Sequence, residues 1–104
     1  MNRQLLYTII GHDVADSGAL RQKIRPQHLE HLRQLQAEGR LVAAGPRPAV
    51  DAVDPDAAGY AGSVVIAAFD NIDDARAWAD TDPYMTGGVF ERVEVFPFVR
   101  VLPE

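Results

Sequence analysis

The sequence predicts an α+β fold in which a four-stranded sheet carries two helices on one face. Short β-branched runs alternate with helical segments in the order β-α-β-β-α-β, which is the split βαβ arrangement. The chain of 104 residues has the usual size of one domain, and its 47% hydrophobic residues suffice for a packed core. We therefore expect residues 1–104 to form a single domain.

The first strand and the first helical region occupy the segment up to Gly39. Residues 5–10 (LLYTII) form a β-branched and aromatic run that ends at a glycine, and a helix is expected from about Ala19. Pro26 interrupts that helix, and a proline in a helix interior costs about 3 kcal/mol. We therefore expect a short helical turn to about Ile24, followed by a new helix that has Pro26 in its first turn and stops at Gly39.

The second half of the chain supplies three more strands and the other helix. The strands are expected at residues 41–45, 63–69 and about 90–101. Asn71 caps the helix, which ends before Asp82 and Pro83. Pro97 cannot donate to a central ladder, so the last strand needs a bulge or an edge position. The segment 47–62 has no clear period, and a loop of this length is usually functional or mobile.

The predicted strands carry apolar side chains on both sides. In the strand at residues 63–69, Val65 and Ala67 lie on one side while Val64 and Ile66 lie on the other. A sheet with one wet face would alternate polar and apolar residues instead. The two helices cover one face, so a second copy of the chain is the simplest cover for the other. We therefore expect a symmetric homodimer.

The composition argues against several partners and chemistries. With 10 basic and 15 acidic residues the net charge is -5, which would repel a phosphate backbone, so no nucleic acid is expected. The sequence has no cysteine, hence no disulfide, thiolate nucleophile or cysteine-bound zinc. It has no signal-peptide pattern and no apolar run long enough for a membrane span, so we expect a cytoplasmic protein without a membrane partner. No glycine-rich phosphate loop or nicotinamide fingerprint is present, so no cofactor is implied.

Three histidines are the side chains best suited to proton transfer near neutral pH: His12, His28 and His31. On the predicted helix, His28 lies beside the inward leucine stripe, where a hydrogen-bonded structural histidine is the plainer interpretation. His31 shares its side with polar residues and is expected to be exposed. The two form an H-x-x-H pair, but they point in different directions and have no obvious third ligand, so no metal site is expected.

Asp82 is the carboxylate whose position best suits a site. It stands directly before Pro83, where it would cap a turn and be oriented by backbone donors. An aspartate bonded to one imidazole nitrogen fixes the histidine tautomer and makes the other nitrogen a better base. With both helices on one sheet face, His28 and Asp82 can meet, at a nitrogen-to-oxygen distance of about 2.6–3.2 Å or through one water. Other carboxylates, Asp13 among them, are explained by loops and turns.

Several short motifs, in order over nearly the whole chain, resemble the YciI (YCII-related) family. They are Arg25-Pro26-Gln27-His28-Leu29, Glu38-Gly39-Arg40-Leu41, Ala44-Gly45-Pro46, Gly62-Ser63, Ala77-Trp78-Ala79-Asp80 and Asp82-Pro83-Tyr84. The resemblance implies a ferredoxin-like, dimeric α+β barrel. It also implies that the histidine of the R-P-x-H-L segment and the aspartate of the D-P segment form a catalytic pair, and in this sequence these are His28 and Asp82.

The resemblance implies a small-molecule site without one assigned reaction. Arg25, Ser63 and Tyr84 lie in the resembling segments and are expected to bind substrate, although a surface salt bridge would equally explain Arg25. Related barrels include muconolactone isomerase-like enzymes and a dehydrochlorinase that acts on a hydroxylated aromatic ring, an analogy at the level of the fold. The leading hypothesis is a cofactor-independent lyase or isomerase in which His28 moves a proton on a small polar or aromatic metabolite. The alternative is a non-catalytic ligand-binding or assembly protein that uses the same cavity.

Overall fold

The four strands form one antiparallel sheet with the first strand of the chain in its interior. In a computed structural model, which describes residues 3–104, the elements in chain order are β1 (Gln4–Asp13), α1 (Gly18–Ala37), β2 (Leu41–Pro48), β3 (Tyr60–Ala67), α2 (Ile72–Asp80), α3 (Pro83–Thr86) and β4 (Phe90–Arg100), with a 3₁₀ turn at Asp56–Ala58. The strand order is β2-β3-β1-β4, and neighbouring strands are antiparallel. The predicted ferredoxin-like α+β fold is confirmed.

Helix α1 is continuous, so the predicted break at Pro26 is wrong. Pro26 lies inside the helix and cannot donate a hydrogen bond to the carbonyl of Gln22. Both residues are on the exposed side of α1, and the buried residues Leu32 and Leu35 pack the same helix onto the sheet. Tertiary packing therefore outweighs the local cost of the proline. The helix ends as predicted at Gly39, which has a φ of +71° that favours glycine.

The strands differ from their predicted bounds mainly at the ends. β2 continues through Pro46 and Pro48 because it is an edge strand, where a missing N–H can point away from the sheet. β3 spans residues 60–67, so it begins and ends earlier than expected. β4 is the other edge strand, which accommodates Pro97 as predicted. None of the helices in residues 3–104 is long and apolar enough to cross a membrane.

The helices pack on one face of the sheet and leave the other face uncovered. The core cluster joins Ile9 and Val65 of the sheet to Leu35 of α1. Side chains alternate along a strand, so Phe96 and Phe98 of β4 point to the opposite face, where they are 46% and 40% exposed. The two-sided apolar pattern is therefore confirmed, whereas the second copy of the chain stays a prediction.

Candidate active site

A cavity of about 680 Å³ lies between α1 and the half of the sheet formed by β2 and β3. Its walls include the polar residues Arg21, Arg25 and His28 of α1, Ser63 of β3, Tyr84 of α3, and Asp54 and Asp56 of the loop that joins β2 to β3. Four of the five predicted site residues thus line one cavity, and the fifth, Asp82, binds His28. The long loop that the sequence marks as functional or mobile forms part of the same wall.

His28 and Asp82 are in direct contact and almost fully buried. The imidazole Nδ1 lies 2.7 Å from the carboxylate Oδ1, and the two side chains are 8% and 5% exposed. The predicted distance is confirmed. A carboxylate only accepts hydrogen bonds, so the Nδ1 proton is the donor, and in the neutral ring Nε2 keeps its lone pair. Nε2 makes no hydrogen bond within residues 3–104, which leaves it available to a molecule in the cavity.

The start of α3 holds Asp82 in place. Its Oδ1 also accepts the backbone N–H of Tyr84 at 2.9 Å, and Pro83 occupies the first turn of the helix. Proline fits there because that position needs no N–H donor. Asp82 is therefore both the predicted cap and the partner of His28, and the backbone of α3 aims its carboxylate at the imidazole.

Tyr84 forms the wall against which the imidazole of His28 lies. The two rings are stacked, with centroids 3.8 Å apart and planes inclined by 8°. The phenol hydroxyl donates to the backbone carbonyl of Arg21 at 3.3 Å. Burial raises the pKa of Tyr84 above its ordinary value, although the positive charges of Arg21 and Arg25 act against that rise. Tyr84 thus stays a neutral phenol that fixes the plane of the ring beside it.

Arg21 is a polar residue at the centre of the site, and the sequence analysis did not identify it. Its Nε and Nη2 donate to the two carboxylate oxygens of Asp13 at 2.6 and 3.1 Å. Nη2 also donates to Ser63 Oγ and to the carbonyl of Gly62, each at 2.8 Å. The expectation that Asp13 is a solvated turn residue is therefore wrong, because its side chain is 1% exposed and paired with Arg21.

The seven-residue spacing between Arg21 and His28 is the sequence signal that could have placed Arg21 in the site. Residues seven apart lie on the same side of a continuous helix, about two turns from each other, and Arg25 stands between them. The predicted break at Pro26 hid this relationship because it placed Arg21 on a separate turn. Arg25 lines the cavity and forms no ion pair within residues 3–104, so the structure does not support the surface salt bridge as its explanation.

The other two histidines lie outside the cavity. The expectation that His31 is simply exposed is wrong, since it is half-buried, bonded to the carbonyl of Trp78 at 3.0 Å and stacked on the indole. His12 lies on the uncovered sheet face, where its Nε2 is 2.6 Å from Oε1 of Glu94. Within residues 3–104 there is no cluster of three metal-binding side chains.

Comparison with known proteins supports one family for nearly the whole chain. Residues 5–99 match the model of the YCII-related domain. Protein YciI from Escherichia coli O6:H1 is 54% identical over 97 residues, which cover 93% of this chain and 99% of that protein. A protein from Haemophilus influenzae is 46% identical with the same coverage.

A solved structure with a related sequence has the same fold. It is TftG, the 5-chloro-2-hydroxyhydroquinone dehydrochlorinase from Burkholderia phenoliruptrix AC1100, in complex with 2,5-dihydroxybenzoquinone. The TM-score is 0.75 at 25% sequence identity, and the match covers 88% of this chain and 90% of that chain. The domain match and the high identity to YciI show that this chain belongs to the YCII-related (YciI) family.

Proposed function

We propose that the protein is a cofactor-independent enzyme in which His28 moves a proton on a small polar or aromatic metabolite. Asp82 orients the imidazole and stabilises its charged form. The observation that carries the proposal is the geometry of the pair. Nδ1 is bonded to a buried carboxylate, while Nε2 has no hydrogen-bond partner among residues 3–104 and belongs to a ring that lines the cavity. This division of roles is what a general base requires.

The reaction class that suits this pair is that of a lyase or isomerase. Nε2 takes a proton from a carbon or hydroxyl of the substrate, and the imidazolium is held by Asp82. Return of the proton to a different atom gives an isomer, and its delivery to a leaving group completes an elimination. Positioned proton transfer of this kind contributes about 10²–10⁴-fold to a rate.

The likeness to TftG supports a small ring-shaped substrate. That protein is named as a dehydrochlorinase of a chlorinated hydroxyhydroquinone, and its structure holds 2,5-dihydroxybenzoquinone. A cavity of about 680 Å³ has room for such a molecule. We assign substrate contacts to Arg25 and Ser63, and the supporting wall to Tyr84.

Hydrogen exchange in D₂O tests the proposal. Small hydroxylated and keto compounds that raise the melting temperature would be incubated with the protein, and loss of their C–H signals followed by NMR. We expect exchange that His28→Ala slows by about 10²-fold or more. His31→Ala is the matched control, because this histidine is on the same helix but outside the cavity. Ligands that stabilise the protein without exchanging would favour the non-catalytic binding protein. Exchange that survives His28→Ala would contradict the role of His28 as the base.

We also propose that two copies of the chain pack through their uncovered sheet faces. The half-exposed rings of Phe96 and Phe98 support this, because a contiguous apolar surface on a stable protein commonly marks an interface. The cytoplasmic location expected from the sequence stays a prediction that cell fractionation would test.

A further inference from the structure

A row of charged side chains crosses one end of the uncovered sheet face. His12 of β1 lies opposite Gly62 of β3 on one side and opposite Arg92 of β4 on the other. Gly62 in turn lies opposite Arg47 of β2. Residues at paired positions share a face of the sheet, and Glu94 is on the same face, two residues after Arg92. We call these four charged or titratable residues, Arg47, His12, Arg92 and Glu94, the polar row.

His12 uses both ring nitrogens within the polar row. Its Nε2 is 2.6 Å from Oε1 of Glu94, and its Nδ1 is 3.3 Å from Nη2 of Arg47. A guanidinium only donates, so Nδ1 accepts that bond and Nε2–H donates to Glu94. The hydrogen bond from His12 lowers the pKa of Glu94 below its ordinary value; burial acts against this, and the charge of Arg92 adds to it. The arrangement therefore pairs an uncharged imidazole with an ionised carboxylate.

Arg47 is held against the sheet by weak contacts. Its guanidinium lies over Gly62, where an added methyl group would clash with it. Nη2 donates to the carbonyls of Gly11 and Ala61 at 3.4 and 3.3 Å, which are long distances for such bonds. Nε is buried and has no hydrogen-bond partner within residues 3–104. A proton on Nδ1 of His12 would place a donor and a like charge against this guanidinium, so Arg47 would move away from the sheet.

The polar row lies within the area that a second copy of the chain would cover. Glu94 and Phe96 are on the same face of β4 and about 7 Å apart along the strand. A stable interface buries about 800 Å² on each partner. The half-exposed rings of Phe96 and Phe98 supply less than that, because one aromatic side chain buries about 150–250 Å² in all. A second copy that covers the two rings therefore extends over the row.

We propose that His12 makes the dimer sensitive to pH, because the neutral ring keeps Arg47 against the sheet and the protonated ring drives it into the space of the second copy. The inference rests on the proposed face-to-face dimer and adds its regulation. The charged groups that face His12 are Arg47 from β2 and Arg92 and Glu94 from β4, while Gly62 of β3 has no side chain. Protonation leaves three cations beside one carboxylate. The separated chains therefore bind more protons than the dimer, which weakens as the pH falls through the range in which histidine titrates.

The test is the dissociation constant of the dimer, measured by analytical ultracentrifugation at about pH 7.5 and about pH 5.5. We expect the constant to rise about tenfold or more at the lower pH, because each dimer takes up as many as two protons when it separates. His12→Gln should keep the dimer and remove the rise, since an amide accepts from Arg47, donates to Glu94 and carries no charge. His31→Gln is the matched control and should keep the rise, because His31 is also half-buried but lies on α1, which packs on the other sheet face.

The outcomes separate the switch from the dimer itself. A wild type that is a single chain at about pH 7.5 would overturn both, whereas a dimer with the same dissociation constant at the two pH values would overturn the switch alone. A rise that persists in His12→Gln, or that is lost in His31→Gln, would also overturn it. Arg47→Met keeps the test if His12→Gln does not fold. Without the guanidinium the protonated ring pairs with Glu94 unopposed, so the rise should shrink, and an undiminished rise would contradict the role of Arg47.

Discussion

Arg21 and Asp13 form a two-point ion pair behind the wall of the cavity. The Nε–Oδ2 and Nη2–Oδ1 distances are 2.6 and 3.1 Å, and the two side chains are 8% and 1% exposed. Asp13 ends β1 and Arg21 lies in the first turns of α1, while Ser63 connects the same guanidinium to β3. The pair therefore ties together the three elements that shape this end of the site.

Breaking this pair from one side should be costly, because the remaining charge would stay buried without a partner. We expect Arg21→Met and Asp13→Asn each to lower the free energy of unfolding by about 3–5 kcal/mol, and the double variant to lose less than the sum. Urea unfolding measures all three. The control is Arg76→Met, whose ion pair with Asp73 is exposed and should contribute less than about 1 kcal/mol. Additive losses in the double variant would show that the two side chains are not coupled.

A charge on the uncovered sheet face should separate the proposed dimer. Light scattering of the wild type is expected to give twice the chain mass of 11.4 kDa at micromolar concentration. Phe96→Asp should give the single-chain mass, because a carboxylate in an apolar interface loses its hydration. Val53→Asp, at a fully exposed side chain of the loop between β2 and β3, should leave the mass unchanged. A wild-type protein with the mass of one chain would mean that this sheet face is exposed to solvent.

The hydrogen bond to Asp82 should decide which imidazole nitrogen of His28 carries the proton. We expect nitrogen NMR of the neutral wild-type ring to show a protonated Nδ1 and a bare Nε2. Asp82→Asn should weaken that preference, because an amide can also donate to the ring, and asparagine remains a good cap for α3. The protein should therefore stay folded while the tautomer changes. A neutral wild-type ring that carries its proton on Nε2 would contradict the proposed base.

The order of elements could be predicted from local signals, and the contact between His28 and Asp82 could be predicted from a local cap, the topology and the resemblance to the YciI family. Asn71 illustrates such a signal: its side chain accepts the backbone N–H of Asp74 at 2.8 Å, as a cap should. Asp82 before Pro83 is a second cap, and the fold brings α3 next to α1. Pattern, cap and topology agree at these positions, so the sequence is informative there.

The role of Arg21 could not be predicted because it depends on tertiary contacts. Proline inside a helix has a local free-energy cost, but the packing of Leu32 and Leu35 outweighs it. Arg21 and His28 lie on the same side only because α1 is continuous. The burial of the Asp13 side chain could not be predicted for the same reason. No sequence signal near the end of β1 indicates that the arginine eight residues later pairs with the Asp13 carboxylate.

Gly62 should resist substitution because the chain is crowded where β3 passes β1. A methyl group on Gly62 would clash with the carbonyl oxygen of Gly11 and with the Arg47 side chain. We expect Gly62→Ala to destabilise the protein by about 1–3 kcal/mol, the usual cost of overpacking. Gly18→Ala is the control: its methyl would meet nothing within 4 Å, and alanine in a helix should stabilise by about 0.5–1 kcal/mol. Equal effects in thermal unfolding would argue against the crowding.

Tyr84 should make the stability of the protein fall at alkaline pH. Burial raises the pKa of its phenol above the ordinary value of 10.0, so the folded protein holds this proton more tightly than the unfolded chain does. The stabilisation is fully present below pH 10 and is lost as the pH rises through the folded-state pKa, because the unfolded chain ionises first. Tyr84→Phe keeps the ring that stacks on His28 but has no proton to lose. Its unfolding free energy should therefore decline less steeply above about pH 10 than that of the wild type, as measured by urea unfolding at each pH. Parallel declines in the two proteins would assign the alkaline loss to other groups.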